Sequence, residues 1–171
     1  IRVMSIEEQN LFMRYSKSSQ FCDLYMVALG TGMRSGELRA LQWSDIDFDN
    51  KIIHVNGTLK YIAKAKVKYM IDEPKSESSK RDIPMLDNLV TVLREHRKRQ
   101  LVTRMLLGDK WRPEPGFESL VFTGGFGRCI SENALYQDMK KIIVQIREDG
   151  HVFGAHTPHS LRHTFATRGF E

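Results

Sequence analysis

The chain has 171 residues, 41% of them hydrophobic and 27% charged, with a net charge of +5; that length and apolar content suffice for one domain to bury a core without staples. No stretch approaches the roughly 18 uninterrupted apolar residues of a membrane span, the opening IRVMSIEEQN lacks a secretory apolar region, and no tract is of low complexity, so a soluble, cytoplasmic, folded protein is expected. Cys22 and Cys129 are too few and too far apart for a disulfide framework or zinc knuckle, and both are expected as buried thiols.

Ser5 and Glu8 form a capping-box pattern, and Leu11, Phe12 and Tyr15 follow at helical spacing, predicting a first helix to about Ser16. FCDLYMVALGTG reads as a buried helix running into a glycine turn at Gly30 and Gly32, and SGELRALQW as a short helix after it. The pattern then changes to strands: IDFDN is a turn, KIIHV is β-branched, KVKYMID alternates, and RDIPM is closed by proline, together a small antiparallel sheet. Asp87 is placed as the cap of a long helix from about Asn88 to Leu107, with Leu89, Val92, Leu93, His96 and Leu101 on one face, a strongly basic opposite face, and Gly108 as its stop. Ser131 caps a further helix to about Glu148, and Thr157 with Pro158 opens the last one.

Charge is unevenly spread. Residues 1–50 hold 5 Lys/Arg against 7 Asp/Glu, residues 51–110 hold 14 against 7, and residues 111–171 hold 7 against 7. A basic middle suits a polyanion, because each phosphate contacted releases condensed counterions. Lys60, Lys64, Lys66, Lys68, Lys80, Arg81 and the Arg94–Arg104 helix face are the candidate contacts, although a basic stretch is equally compatible with a solvated surface.

Three motifs could carry chemistry. In TGMRSGEL a glycine turn delivers Arg34 to a helix start, with Glu37 one turn on and able to hold the guanidinium in one orientation. In EPKSESSKRDIPM, Lys75 sits before a Ser-rich turn between two predicted strands, so its ammonium would project from a hairpin tip. In TPHSLRHTFATR, His159 and Arg162 share the first turn of a helix, where unpaired N–H groups and the positive end of the macrodipole favour an anion and oppose protonation of the imidazole. Each motif alone also fits a structural ion pair or cap. A rival reading takes His156, His159 and His163 as metal ligands, but the glutamate expected beside the first histidine of a zincin pair is replaced by Ser160.

In order and context these motifs resemble the tyrosine recombinases. TGMRSGELRALQWSDIDFDN resembles the family's first arginine motif, EPKSESSKRDIPM its lysine hairpin and TPHSLRHTFATR its His-x-x-Arg helix; RKRQLVTRMLLGDKW and LVFTGGFGRCIS look most like integrases of phages and conjugative transposons from Gram-positive bacteria. The resemblance implies a mostly helical α+β catalytic domain spanning residues 1–171 as one unit, without the amino-terminal DNA-binding domains. It implies that Arg34 and Arg162 clamp the scissile phosphate, Lys75 protonates the leaving 5′ oxygen, His159 assists proton transfer, Glu37 orients Arg34, and His163 supports from behind, with no metal or other cofactor. Double-stranded DNA is the implied partner and a tetramer on DNA the implied assembly of the parent, the isolated fragment being a monomer. Tyr15, Tyr25, Tyr61, Tyr69 and Tyr136 all precede the His-x-x-Arg motif, so the nucleophilic tyrosine is expected beyond Glu171 and the fragment is expected to be inactive.

Overall fold

The computed structural model describes residues 2–77 and 80–168, so part of the Ser-rich turn, residues 78 and 79, and the end of the chain, residues 169–171, lie outside the described residues. The fold is a mostly helical α+β structure, and the chain forms two compact units, Ile1–Ser35 with Ser131–Glu171, and Gly36–Ile130.

The first unit is helical. Helix α1 (Ile6–Tyr15) starts at a full capping box, in which Ser5 Oγ accepts the Glu8 N–H at 3.1 Å and the Ser5 N–H donates to Glu8 Oε2 at 3.0 Å. Helix α2 (Cys22–Thr31) is apolar on most of its circumference and is buried accordingly, with Tyr25 set edge-on to Phe12 at 5.1 Å. The Tyr25 hydroxyl donates to Asp138 Oδ2 at 2.6 Å, so burial and the neighbouring carboxylate both push its ionisation far up. Ser131 caps α5 (Glu132–Glu148) through the Ala134 N–H, as expected. That helix buries Leu135, Met139, Ile142, Ile143 and Ile146 in one stripe, each worth about 1.5–3 kcal/mol of transfer free energy before entropy is subtracted. Helix α6 (Pro158–Arg168) begins where Thr157 and Pro158 predict it.

The second unit holds α3 (Ser35–Ala40), which begins at its edge, followed by five strands and a long helix. Strands β1 (Ile46–Asp47), β2 (Ile52–Val55) and β5 (Arg81–Pro84) form one antiparallel sheet in the order β1-β2-β5, and β3 (Thr58–Tyr61) pairs with β4 (Tyr69–Asp72) in a second. The expected hairpin around Lys75 is therefore corrected: β4 and β5 lie in different sheets. The two connections are nearly equal in length, residues 62–68 and 73–80, so loop closure does not choose between them; β5 is drawn to β2, where Ile83 stands opposite the fully buried Ile53, and β4 pairs with β3. Pro84 ends β5 on an edge strand, where its missing N–H is harmless. The IDFDN segment is half strand, since Ile46 and Asp47 pair with β2 before Asp47 Oδ1 accepts the Asn50 N–H at 2.9 Å to close the turn.

Helix α4 (Asp87–Leu107) differs from expectation at two places. Leu86 occupies the cap position, and Asp87 is the first helical residue, its carboxylate drawn 2.6 Å from Lys51 Nζ. Leu101, expected on the core face, is 52% exposed. The inward place is taken by Gln100, which accepts from the Trp43 indole at 2.8 Å and donates to the Leu120 and Val121 carbonyls, satisfying polar groups that a leucine would strand. Gly108 ends the helix with φ 53, as predicted. Of the cysteines, Cys129 is buried and its thiol is pushed up to about 12, first by burial and then by Glu114, whereas Cys22 is only half-buried.

Candidate active site

Two local structures bring the arginine motifs together within the first unit. The first is the turn after α2. Gly32 adopts φ 67, a left-handed conformation that only glycine takes cheaply, and a Cβ there would collide with the Phe165 ring of α6. Met33 follows, buried, its N–H donating to Thr31 Oγ1 at 3.2 Å, and the chain then turns outward to expose Arg34.

The second is the opening of α6. The Thr157 N–H donates to Ser160 Oγ at 3.1 Å and the Ser160 N–H returns to the Thr157 carbonyl at 2.8 Å, fixing the entry. Ser160, Leu161 and Thr164 turn inward and are buried, and Thr164 Oγ1 both donates to the Ser160 carbonyl and accepts the Met4 N–H. That choice of buried face leaves His159 exposed and Arg162 and His163 half-exposed on the other.

A hydrogen bond joins the two structures. Arg162 Nη1 donates to the Gly32 carbonyl at 2.7 Å, two residues before Arg34. His159 and His163 stand edge to face with ring centres 4.6 Å apart and their Nε2 atoms at 3.0 Å, a hydrogen bond in which one ring donates and the other accepts. The His159 pKa is held below its ordinary value, first by loss of solvation and then by the positive fields of His163, Arg162 and Arg34. An anion seated beside these groups would reverse the last three effects. Arg34, His159, Arg162 and His163 thus form a cluster in which protonation of the His159 imidazole is disfavoured, as suits a group that accepts a proton and returns it once negative charge arrives.

The remaining predicted residues belong to the second unit. Glu37 is buried at the start of the unit, and the Arg81 guanidinium forks onto it at 3.0 and 2.9 Å; Arg81 is thus engaged by a carboxylate, where the sequence suggested only a DNA contact. Lys75 is exposed on the link from β4 to β5, and its charge, after that of Lys60, helps hold the Asp72 carboxyl below its usual range. Lys60 forms an ion pair with Asp72, Lys68 Nζ donates to the Ala63 carbonyl at 2.9 Å, and Lys64, Lys66 and Lys80 are exposed. Tyr61 and Tyr69 meet edge-on at 5.4 Å on the same two-stranded sheet.

His156, grouped with the other histidines in the metal reading, is engaged elsewhere in the first unit. Its side chain is fully buried with Nε2 3.3 Å from Glu8 Oε2, while Glu8 Oε1 accepts the Gly154 N–H at 2.9 Å. Among the described residues no three His, Cys, Asp or Glu side chains gather as a metal site requires. The Gly32 carbonyl escaped sequence reasoning: the turn glycine was legible as a conformational need, but nothing in a string reports which side chain its carbonyl accepts.

These features define an α+β domain with paired arginine motifs beside a histidine, and comparison with known proteins gives its family. The chain belongs to the phage integrase family, which it matches over residues 3–170. It is 34% identical over 179 residues to the XerC-like tyrosine recombinase of Caldanaerobacter subterraneus subsp. tengcongensis, covering 100% of this chain and 44% of that one. It is 28% identical over 174 residues to the transposase of transposon Tn916 from Enterococcus faecalis, covering 96% and 40%. The integrase of transposon Tn1549, solved in complex with transposon right end DNA, shares the fold at a TM-score of 0.83 with 24% identity, covering 98% of this chain and 52% of that one. The chain therefore spans less than half the length of these curated relatives.

Proposed function

We propose that this chain is the catalytic core of a site-specific recombinase that integrates or excises a mobile element by cutting and rejoining double-stranded DNA. Arg34 and Arg162 grip the non-bridging oxygens of the scissile phosphate. A tyrosine supplied by sequence outside these 171 residues, in the same polypeptide or a neighbouring protomer, attacks the phosphorus. The phosphorus–5′-oxygen bond breaks as the tyrosyl–phosphate bond forms; Lys75 gives its proton to the departing 5′ oxygen, and His159 takes up the tyrosine's proton. The product is a 3′-phosphotyrosyl link, and rejoining runs the same steps in reverse. Negative charge spreading over the phosphate is stabilised by two guanidiniums and the start of α6, which can do so without a divalent ion.

The observation that carries this reading is the 2.7 Å bond from Arg162 to the Gly32 carbonyl, 130 residues away in sequence, because it yokes two arginine motifs beside a histidine whose pKa is lowered. Three of the five tyrosines have raised pKa values, Tyr15 through its bond to Asp149, and Tyr25 and Tyr69 chiefly through burial, which favours structural roles for them. Lys60, Lys64, Lys66, Lys68 and Lys80 are assigned to the DNA backbone, Glu37 with Arg81 to fixing the start of α3 behind Arg34, and His163 to orienting His159. By analogy with the family the parent works as a tetramer on DNA, in the cytoplasm, while the 171 residues alone are monomeric and do not cleave.

The test uses the full-length gene product and a nicked duplex that traps the covalent complex. Arg162→Ala and Arg34→Ala should each abolish the trapped adduct while duplex binding persists. An undiminished adduct in either variant would remove that arginine from the mechanism.

A further inference from the structure

Helix α4 carries a second surface that the strand-transfer chemistry does not use. At 100° per residue, Arg94, Lys98, Leu101 and Met105 fall within about 60° of one another, a straight seam about 16 Å long. It lies on the side away from Leu89, Leu93 and Gln100, which face the core or the Trp43 indole. Its first half is cationic and its second half apolar: Leu101 is exposed and Met105 is 82% exposed, with Val102 and Leu106 exposed on the adjoining flank. Four exposed apolar residues within six positions form a patch that a solvated helix has no reason to keep.

The cationic half is preorganised. Trp43 and Phe48 are stacked with ring centres 6.4 Å apart, the Arg94 guanidinium lies 5.0 Å over Phe48, and that of Arg97 lies 5.3 Å over Trp43. The platform itself is fixed, because the Trp43 indole donates to Gln100. A guanidinium stacked flat on a ring keeps its N–H edge free for a carboxylate and loses little further entropy in binding one. Between Phe48, Arg94, Lys98 and Leu101 runs an open groove of about 480 Å³, which can take apolar side chains beside the charged ones.

We propose that this face of α4 docks an amphipathic helical segment of another protein, with Asp or Glu residues set against Arg94 and Lys98 and apolar residues set against Leu101 and Met105. Charge complementarity selects that occupant. The helix carries Arg94, Arg97, Lys98, Arg99 and Arg104 against two acids, Asp87 and Glu95, and both are already matched with lysines, Asp87 with Lys51 and Glu95 with Lys98. A DNA backbone would match the first half but gain nothing from the apolar second half, where a phosphate would lie against exposed methionine and leucine. A helix with two unlike ends matches both halves, as seam positions do in coiled coils.

The test measures fluorescence anisotropy of a synthetic peptide of about 18 residues, long enough to fold on contact, with Leu and Met at one end of its seam and Glu at the other. The 171-residue chain should bind it more weakly as salt rises. The double variant Arg94→Glu/Lys98→Glu and the variant Met105→Asp should each lose at least tenfold, and a peptide with Lys in place of Glu should lose as much. Duplex DNA retention by the double variant should match that of a charge-matched control with two exposed α5 lysines reversed, Lys140→Glu/Lys141→Glu; helicity measured by circular dichroism verifies folding, and Met105→Gln provides a milder second variant expected to weaken binding in the same direction. Equal binding by the parent and all three variants would overturn the proposal. So would a loss of duplex retention in the double variant beyond that of the charge-matched control, which would make the face a DNA contact, or a parent dimer that Met105→Asp dissolves, which would make the occupant a second copy of this chain.

Discussion

Gly32→Ala tests whether the turn that delivers Arg34 is held by backbone conformation and by α6 at once. An alanine at φ 67 costs about 1 kcal/mol for the left-handed backbone alone. Its methyl would also overlap the Phe165 ring, and relieving such a clash by shifting a ring or a helix costs about 1–3 kcal/mol more. The expected total is about 2–4 kcal/mol, read as a shift in the urea midpoint with an unchanged slope. The two contributions separate in a double-mutant cycle. Phe165 is 38% exposed, so Phe165→Ala should cost only about 1–2 kcal/mol, and in that background Gly32→Ala should fall to the conformational remainder of about 1 kcal/mol. Additive costs would show that the ring and the turn are not in contact. A Gly32→Ala change within about 0.5 kcal/mol of the parent, the range of neutral surface substitutions, would refute both the left-handed turn and the Arg162 anchor that depends on it.

Removing positive charge near His159 should raise its pKa, so Arg162→Ala and Arg34→Ala should each move the imidazole titration seen by NMR upward, and inorganic phosphate should move it the same way in the parent. Because the folded pKa of His159 is depressed, the unfolded chain binds more protons as pH falls; this residue should therefore destabilise the fold on acidification through its ordinary value near 6.5 and leave stability unaffected above it, a trend visible in midpoints measured from pH 8 to 5 and lost in His159→Gln. Arg81→Ala removes a two-point ion pair from the buried Glu37 carboxylate and should cost about 1–3 kcal/mol in denaturant unfolding, discounted because the arginine side chain is one-third exposed. Lys64→Ala with Lys66→Ala should weaken duplex binding for every sequence alike and lower the slope of log affinity against log salt by about 2, whereas an unchanged slope would remove both lysines from the DNA contact.

Helices were the most legible elements, and for identifiable reasons. The capping box at Ser5, the glycine stops at Gly32 and Gly108, the Ser131 cap and Pro158 are local chemistry, complete within a few residues of the boundary they set. Sheet pairing was not local in the same sense. The strand residues were recognisable from alternation and β-branching, yet which strand pairs with which depends on apolar partners such as Ile53 and Ile83, thirty residues apart. Lys75 was consequently put on a hairpin that does not exist, although its position between two strands was right.

The site was legible in a different way again. The residue types, an arginine after a glycine turn and a histidine and arginine in the first turn of a helix, announce an anion by the donors they carry, and the depressed His159 pKa agrees with the direction the helix terminus implied. What the string cannot encode is the backbone acceptor that joins them. The Gly32 carbonyl faces Arg162 because Gly32 has no Cβ to keep Phe165, and with it α6, away from the turn. One absent methyl group therefore does two jobs: it allows the left-handed exit that exposes Arg34, and it lets the second arginine approach near enough to be fixed. A substitution that preserved the backbone angle but restored bulk would keep the first and lose the second, so the two arginines are coupled through packing and not only through their shared charge.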